Sequence, residues 1–436
     1  MNYYSTNHQS PAATLQEAVV RGLAPDKGLY MPEHIQPLPQ EFYNDIDRLT
    51  FQDMACRVAD AFFGEDIPQE TLHDIVRDTL SFDVPLVRVG GPIFSLELFH
   101  GPTLAFKDVG ARFMARLLGY FIHREGEGEV NVLVATSGDT GSAVANGFLG
   151  VEGIRVYVLY PKGKVSEIQE KQFTTLGQNI TAIEVDGTFD DCQALVKDAF
   201  MDKTLNAHMR LTSANSINVA RFLPQAFYYF YAYAQWRKQT GQPAGARPVV
   251  CVPSGNFGNI TAGLFAARMG LPVRRFIAAN NRNDIFYQYL RTGVYSPRPS
   301  IATIANAMDV GAPSNFARIL ALYGNSHKDI CADISGATYT DEQIADTMRK
   351  VWKENHYLLD PHGACGCRAL QEGLREGEEG IFLETAHPAK FKDTVEGIIG
   401  QPVDVPAKLQ AFMQGSKQSV AMPKDFGHFK EYLMGQ

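Results

Sequence analysis

One lysine of this 436-residue chain has neighbours that could make it reactive. Lys107 follows the short apolar run 104–106 and precedes Asp108, within the segment HGPTLAFKDVG. Lysine is rarely buried without a partner, and an amine whose pKa is lowered by desolvation can attack a carbonyl carbon. The segment indicates either such a nucleophile or a surface lysine with apolar neighbours. We expect Asp108 to cap a helix, because a carboxylate beside the amine would raise the pKa of the lysine.

A hydroxyl-rich turn follows the apolar run VNVLV. Thr136, Ser137 and Thr140 lie in this turn, in the segment ATSGDTGSA. Hydroxyl groups and the free backbone N–H groups at the start of a helix both attract anions, so the turn could bind a carboxylate or a phosphate. The alternative is a plain N-cap turn in which Asp139 or Thr140 caps the helix.

A glycine-rich turn follows a second apolar run, VVCV. Gly255 and Gly258 lie in the segment PSGNFGNITAG. Glycine lets the backbone approach a ligand closely, and the amides at a helix N-terminus can surround a phosphate. The turn has neither the Gly-Lys-Ser/Thr of a Walker A loop nor a G-x-G-x-x-G pattern, so one phosphate is favoured over a nucleoside triphosphate. The alternative is a tight strand-to-helix turn without a ligand.

Pyridoxal phosphate would account for all three features. Its aldehyde forms a Schiff base with a lysine, and its phosphate can lie at a helix N-terminus. An amino-acid substrate brings a carboxylate, which needs the second anion site. We therefore predict pyridoxal phosphate as the cofactor, with Lys107 as its lysine.

Strands and helices alternate from about residue 90 onward. Short apolar runs rich in β-branched residues predict strands at 129–137, 154–161, 179–187, 247–254, 273–280 and 380–387. Thr340 and Gln343 have the spacing of a capping box, and Gly177 has the position of a C′ glycine after a helix. This alternation is typical of parallel sheets covered by helices, whose ligands bind at the carboxyl ends of the strands.

We expect an α/β fold with two doubly wound, mainly parallel sheet domains and a small helical N-terminal domain. The predicted boundaries are 1–88 for the mainly helical domain, 89–220 for a smaller α/β domain and 221–436 for a larger α/β domain. The smaller α/β domain would carry Lys107 and the hydroxyl-rich turn. The larger one would carry the glycine-rich turn.

Charge and composition argue against several other classes of protein. The net charge of −8 is spread through the chain without a basic face for nucleic acid, and the most apolar helical stretch, 226–236, is too short to cross a membrane. The start of the sequence does not resemble a signal peptide. Six scattered cysteines, with Cys365 and Cys367 as a C-x-C, match neither a disulfide framework nor a zinc pattern. We expect a cytoplasmic monomer or homodimer without a metal, nucleic-acid or membrane partner.

Longer motifs of the chain resemble the threonine synthase family, a group of fold type II pyridoxal-phosphate enzymes related to the tryptophan synthase β subunit. HGPTLAFKD, ATSGDTG and PSGNFGN carry the resemblance, together with RGLAPDKGLYMP (21–32), LTSANSIN (211–218), NAMDVGAPSN (306–315) and ETAHPAKF (384–391). The resemblance extends over nearly the whole chain. Several of these motifs are specific to threonine synthases rather than to the wider fold type.

The resemblance implies which residues hold the cofactor. These are Lys107, Asp139, Gly255, Asn256, Phe257, Gly258, Asn259 and Thr385. The five residues of the glycine-rich turn would bind the phosphate, and Thr385 would hydrogen-bond the pyridine nitrogen unless it only forms a turn. Asp139 would lie near the O3′ edge of the cofactor. Because an ionised Asp139 would repel a substrate carboxylate, we expect it to orient its loop or to face away.

The resemblance also implies which residues bind the substrate. These are Thr136, Ser137, Thr140, Asn215, Ser216 and Arg221. The first three would meet the substrate carboxylate, and the last three would hold a substrate phosphate, a task that suits the planar guanidinium group of Arg221. Without the resemblance, an arginine on a helix surface is the simpler interpretation. We expect His362, in DPHGA, to be structural because Lys107 already supplies a base.

The implied reaction converts O-phospho-L-homoserine and water to L-threonine and phosphate, the last step of threonine biosynthesis. Lys107 would act as general acid and base at Cα and Cβ of the substrate. One alternative is another fold type II enzyme, such as a serine/threonine dehydratase, which would not need Arg221. The other is a non-catalytic protein that binds a phosphorylated metabolite.

Overall fold

The computed structural model describes residues 1–126 and 128–436. Contacts divide these residues into two compact units, each built from separate segments of the chain. Unit 1 comprises Met1, Met31–Phe106 and Phe222–Asp404, and unit 2 comprises Asn2–Tyr30, Lys107–Arg221 and Val405–Gln436. The sequence predicted three consecutive domains, which differ from these two units. The predicted domain boundaries stay a prediction.

The strands are numbered in chain order. They are β1 (Asn2–Ser5), β2 (Ala13–Thr14), β3 (Tyr30–Pro32), β4 (Leu86–Gly90), β5 (Ile93–Glu97), β6 (Val130–Ala135), β7 (Ile154–Pro161), β8 (Ile180–Asp186), β9 (Arg210–Ser213), β10 (Val249–Pro253), β11 (Arg275–Asn280), β12 (Ile334–Thr338), β13 (Gly380–Glu384) and β14 (Val420–Pro423).

The α-helices are numbered in the same way. They are α1 (Leu15–Arg21), α2 (Gln40–Asn44), α3 (Phe51–Phe63), α4 (Gln69–Thr79), α5 (Lys107–Glu125), α6 (Asp139–Phe148), α7 (Glu167–Thr174), α8 (Phe189–Met201), α9 (Lys203–His208), α10 (Val219–Phe222), α11 (Ala226–Thr240), α12 (Gly258–Arg268), α13 (Ile285–Thr292), α14 (Phe316–Leu322), α15 (His327–Asp333), α16 (Asp341–Asn355), α17 (Pro361–Gly373), α18 (Lys392–Ile399), α19 (Ala407–Met413) and α20 (Phe426–Met434).

Unit 1 contains a six-stranded sheet in the order β12-β11-β10-β13-β5-β4. The strands are parallel except for β4, which pairs antiparallel with β5. The inner strands β10 and β13 are buried along their whole length, as expected when helices cover both faces of a parallel sheet. Helix α11, which contains the apolar stretch noted in the sequence, is mostly buried in this unit, and only Lys238 and Gln239 near its end are exposed.

Unit 2 contains a five-stranded sheet in the order β14-β8-β7-β6-β9, and all its strand pairs are parallel. Strand β14, near the C-terminus, forms one edge of this sheet. The predicted α/β class with mainly parallel sheets is confirmed, and the predicted strand 154–161 is found with the same bounds. Among the described residues, no helix combines the length and the apolar composition needed to cross a membrane.

Two local predictions had different outcomes. The capping box is confirmed: the side chains of Thr340 and Gln343 each accept from the backbone N–H of the other residue. The C′ position of Gly177 is wrong, because α7 already ends at Thr174. The Thr174 hydroxyl donates back to the carbonyl of residue 170, and the Thr174 carbonyl accepts from the Gln418 amide instead of continuing the helix. Gly177, with φ of 63°, lies in the turn that leads to β8.

Candidate active site

The segment of unit 1 that precedes Lys107 is held by backbone pairing. The Phe106 N–H donates to the Thr385 carbonyl at 2.8 Å, and the His387 N–H donates to the Leu104 carbonyl at 3.0 Å. Leu104 has φ of 58°, a left-handed conformation that costs about 1–2 kcal/mol for a residue with a Cβ. The pairing holds this strained backbone next to Thr385, which directly follows the carboxyl end of β13.

In unit 2, Lys107 is partly buried and begins α5. The first turn of this helix lies close to the chain at Arg221. A Cβ on Gly110 would lie 2.4 Å from the Arg221 carbonyl oxygen, a distance that excludes any larger residue without movement. Asp108 is 1% exposed and lies in the same first turn. Its role as a helix cap stays a prediction.

In unit 1, the glycine-rich turn joins the central strand β10 to α12. Phe257 occupies the N-cap position of α12 with φ of 64°, and this left-handed residue turns the chain into the helix. A Cβ on Gly255 would lie 2.7 Å from Met308 Cα and 2.8 Å from the Ala307 carbonyl oxygen. Only glycine therefore fits at position 255.

Four backbone amides of this turn are available to a ligand. Within the part of the chain that the structure describes, the N–H groups of Gly255, Phe257, Gly258 and Asn259 have no hydrogen-bond acceptor. Amides at the start of a helix carry partial positive charge and are well suited to phosphate oxygens. The turn therefore fits the phosphate of the predicted cofactor.

The two asparagine side chains of the turn have structural contacts. The Asn256 side-chain oxygen accepts from the Ser314 N–H at 2.6 Å. The Asn259 side chain donates to the Pro253 carbonyl at 2.8 Å and accepts from the Ser254 hydroxyl at 3.1 Å. These contacts fix the shape of the turn, so we expect the backbone of residue 259, rather than its side chain, to meet a phosphate.

In unit 2, the hydroxyl-rich turn joins β6 to α6. The Thr136 hydroxyl accepts from the N–H groups of Gly138 and Gly141, at 2.9 and 2.8 Å. The predicted capping of α6 by Asp139 or Thr140 is therefore wrong. The N-cap residue is Gly138, and the hydroxyl that accepts from N–H groups at the start of the helix is that of Thr136. Thr136 is 1% exposed, and we infer that it shapes the turn.

The other side chains of this turn divide into two groups. Asp139 is buried, and its carboxylate accepts from the Gln169 side-chain amide at 2.9 Å. This bond supports the expectation that Asp139 orients its loop. Ser137 and Thr140 are partly exposed, and neither hydroxyl bonds to another residue within the described ranges. These two hydroxyls are available to a ligand.

The segment predicted to bind a substrate phosphate lies between β9 and α10. Arg221 is 2% exposed, so the interpretation as a surface arginine is wrong. One of its guanidinium nitrogens, Nη1, donates to the Ala214 carbonyl. The Asn215 side chain donates to the Ala135 carbonyl at 3.1 Å, at the end of β6. Asn215 and Ser216 are partly exposed.

Ionisable groups around Thr385 have shifted pKa values. Burial, and next the Asp360 carboxylate, raise the pKa of Glu384 well above its usual range. Burial, and next the nearby His100, lower the pKa of His387 to about 4. His387 is therefore uncharged near neutral pH and adds no positive charge beside Thr385. The raised pKa of Glu384 favours the protonated form of its carboxyl group.

Sequence reasoning missed two residues that support these turns. Gln169 holds Asp139, and Ser254 donates to the Asn259 side chain. Gln169 lies thirty residues from its partner, on α7, and nothing in its local sequence separates it from a surface glutamine. Ser254 could have been recognised, because it lies inside the glycine-rich turn.

Family models match the chain over almost its whole length. A model described as pyridoxal-phosphate dependent enzyme matches residues 82–383. A threonine synthase N-terminal model matches residues 2–80, and a threonine synthase C-terminal model matches residues 363–433.

Individual relatives match the chain from end to end. The chain is 44% identical to threonine synthase of Haemophilus influenzae over 434 residues, covering 100% of both. It matches the crystal structure of threonine synthase from Escherichia coli with a TM-score of 0.92 at 43% identity, again covering 100% of both chains. It also matches the X-ray structure of PLP-bound threonine synthase from Brucella melitensis, with a TM-score of 0.92 at 34% identity, covering 100% of this chain and 99% of that one.

Proposed function

We propose a substrate and residue roles for this chain from the premise that it belongs to the threonine synthase family of pyridoxal-phosphate dependent lyases. The proposed substrate is O-phospho-L-homoserine, which reacts with water to give L-threonine and phosphate. Near-complete matches to threonine synthases at up to 44% identity support this substrate over that of a dehydratase. The buried Arg221 gives further support, because a phosphate-bearing substrate needs a cation that a dehydratase does not.

The main support for the cofactor assignment is that four backbone amides of the glycine-rich turn are available to a ligand. Gly255, Phe257, Gly258 and Asn259 would donate these amides to the cofactor phosphate, while the Asn256 and Asn259 side chains keep the turn in shape. Thr385 would meet the pyridine nitrogen. A hydroxyl group, unlike a carboxylate, does not hold that nitrogen protonated.

Lys107 is proposed as the lysine that holds the cofactor covalently. When bound, pyridoxal phosphate withdraws electrons from the substrate and so makes its Cα proton acidic. Lys107 would take up the proton at Cα and then move protons at Cβ as general acid and base. Phosphate leaves from Cγ, which then gains a proton and becomes the methyl group of threonine. Water adds its hydroxyl group at Cβ, and a proton returns to Cα.

The substrate would be positioned at its two anionic ends. The hydroxyls of Ser137 and Thr140 would donate to the carboxylate, in a turn whose shape depends on Thr136 and Asp139. Arg221, with Asn215 and Ser216, would hold the phosphate. Fixing both ends of a flexible substrate orients Cα, Cβ and Cγ for the chemistry between them.

The direct test is incubation of the purified chain with O-phospho-L-homoserine, with separate measurement of phosphate and of the organic product. Threonine and phosphate released in equal amounts support the proposal. Phosphate released together with 2-oxobutyrate as the only organic product contradicts it. No phosphate released by cofactor-loaded protein would favour the non-catalytic alternative.

A cytoplasmic location and a monomeric or homodimeric state stay proposals. The six cysteines are all free, which agrees with a reducing compartment. Light scattering coupled to size-exclusion chromatography would give the mass in solution. Fractionation of the source cells would locate the protein.

A further inference from the structure

A short turn of unit 1 packs directly against the glycine-rich turn. This 3₁₀ turn, Asn306–Met308, belongs to a motif that none of the proposed site roles uses. The Gly255 backbone is packed so closely against it that no Cβ fits between them. Any movement of Ala307 or Met308 toward Gly255 therefore moves an amide that is proposed to bind the phosphate.

His362 supports this turn through a hydrogen bond to its backbone. Its Nε2 atom lies 3.1 Å from the Ala307 amide nitrogen. Because a backbone N–H can only donate, Nε2 must be the acceptor and carries no proton. The ring proton is then on Nδ1, which donates to the Asp360 carboxylate. His362 is 2% exposed, so water does not compete for either bond.

Asp360 is itself fixed from several sides. It is fully buried at the N-cap of α17, where its carboxylate accepts from the N–H groups of His362 and Gly363, at 2.7 and 3.2 Å. Its own N–H donates to the Glu384 carboxyl group at 2.6 Å. Glu384 is the last residue of β13, so Asp360 and His362 are anchored to the six-stranded sheet of unit 1.

We propose that Asp360 and His362 are positioning residues for the cofactor phosphate. Asp360 selects the ring form of His362 that can accept from Ala307, and His362 then holds the Asn306–Met308 turn against Gly255. The inference rests on the proposed assignment of the phosphate to the glycine-rich turn. It deepens the structural role expected for His362 by giving that residue a specific effect on cofactor affinity.

A pair of His362 variants separates this role from general stability. Gln places its side-chain oxygen near the position of Nε2, whereas Asn reaches only as far as Nδ1. We expect His362→Asn to raise the dissociation constant for pyridoxal phosphate about tenfold, and His362→Gln to raise it less than about threefold. The probes are pyridoxal phosphate and pyridoxal, which lacks the phosphate, titrated into the full-length protein after removal of its cofactor. Neither substitution should change the affinity for pyridoxal.

A control and a second measurement complete the experiment. His73→Asn alters a His–Asp pair elsewhere in unit 1, where His73 Nε2 lies 2.9 Å from Asp60, and should leave both affinities unchanged. Independently of any variant, ¹⁵N chemical shifts of the wild-type holoenzyme should show His362 with its proton on Nδ1. A proton on Nε2 would overturn the inference.

Three results of the titrations have distinct meanings. Unchanged affinity of His362→Asn for pyridoxal phosphate would overturn the inference, and so would an equal loss for both probes. If wild-type protein binds pyridoxal as tightly as pyridoxal phosphate, the phosphate assignment itself fails. In that case Gly255→Ala would also leave the affinity for pyridoxal phosphate unchanged.

Discussion

Gly110 and Arg221 are in direct contact through their backbones: a Cβ at position 110 would lie 2.4 Å from the Arg221 carbonyl oxygen. Gly110 follows Lys107 by three residues and lies on the same helix face. This contact therefore fixes the position of Arg221 relative to helix α5, which begins at Lys107.

Gly110→Ala should displace Arg221 and weaken substrate binding. We expect kcat/KM for O-phospho-L-homoserine to fall on the order of tenfold to a hundredfold, because small misplacements of positioning groups are costly. Steady-state kinetics measures this fall. Gly119→Ala, at an α5 position where the added Cβ meets only a Val151 side-chain methyl at 3.2 Å, is the control. Equal kinetics of the two variants would show that the contact has no role in activity.

Gln169→Leu should affect substrate binding more than cofactor binding. The change removes the amide that donates to Asp139, and hydrogen bonds to a charged group contribute about 1.5–3 kcal/mol. We expect the hydroxyl-rich turn to loosen and KM to rise about tenfold. Gln410→Leu, which removes an exposed side-chain bond to the Val405 carbonyl, serves as the control. A KM equal to that of wild type would show that Gln169 does not support substrate binding.

Arg221→Lys should raise KM for the phosphorylated substrate and weaken the inhibition that we expect from the product, inorganic phosphate. Lysine keeps the positive charge but lacks the planar fork that binds two phosphate oxygens. We expect KM to rise at least about tenfold, measured at constant ionic strength. Arg155→Lys, which changes an exposed arginine paired with Glu129, should have little effect. Unaltered phosphate inhibition in Arg221→Lys would place the substrate phosphate elsewhere.

His387 should contribute to acid sensitivity of the fold. Its pKa is lowered to about 4 in the folded protein, whereas an unfolded histidine titrates near 6.5. The stability that depends on neutral His387 is therefore complete above about pH 6.5 and is lost as pH falls toward 4.

The variant His387→Asn tests this pH dependence. Asn can still accept from the Ala389 N–H, as His387 Nδ1 does at 3.1 Å, but it does not titrate. We expect the unfolding midpoint of the variant to fall less steeply between pH 6.5 and 4 than that of wild type. Thermal unfolding followed by circular dichroism at several pH values measures the slopes. Parallel slopes would contradict the assigned pKa.

Local sequence patterns predicted the parts of the fold and site that depend on local structure. Strand β7 and the capping box at Thr340 follow from residue types a few positions apart. The anion binding proposed for the turns at 135–143 and 253–263 was inferred from glycines and hydroxyls within single loops. The β4–β5 hairpin was missed, although the adjacent Gly90 and Gly91 between two apolar runs were a signal for it.

The supporting residues could not be found in this way, because their partners are distant along the chain. Gln169 reaches Asp139 only when α7 packs beside α6, and His362 reaches Ala307 across 55 residues. An α-helical glutamine or a buried histidine has the same sequence pattern whether or not it supports a site. Tertiary packing alone determines these contacts.

The most direct test of the account is to locate the lysine that holds the cofactor. The holoenzyme would be reduced with borohydride, digested and analysed by mass spectrometry. We predict a single pyridoxyl-phosphate adduct, on the peptide that contains Lys107. An adduct on any other lysine, such as the buried Lys390 of the ETAHPAKF motif, would contradict the account.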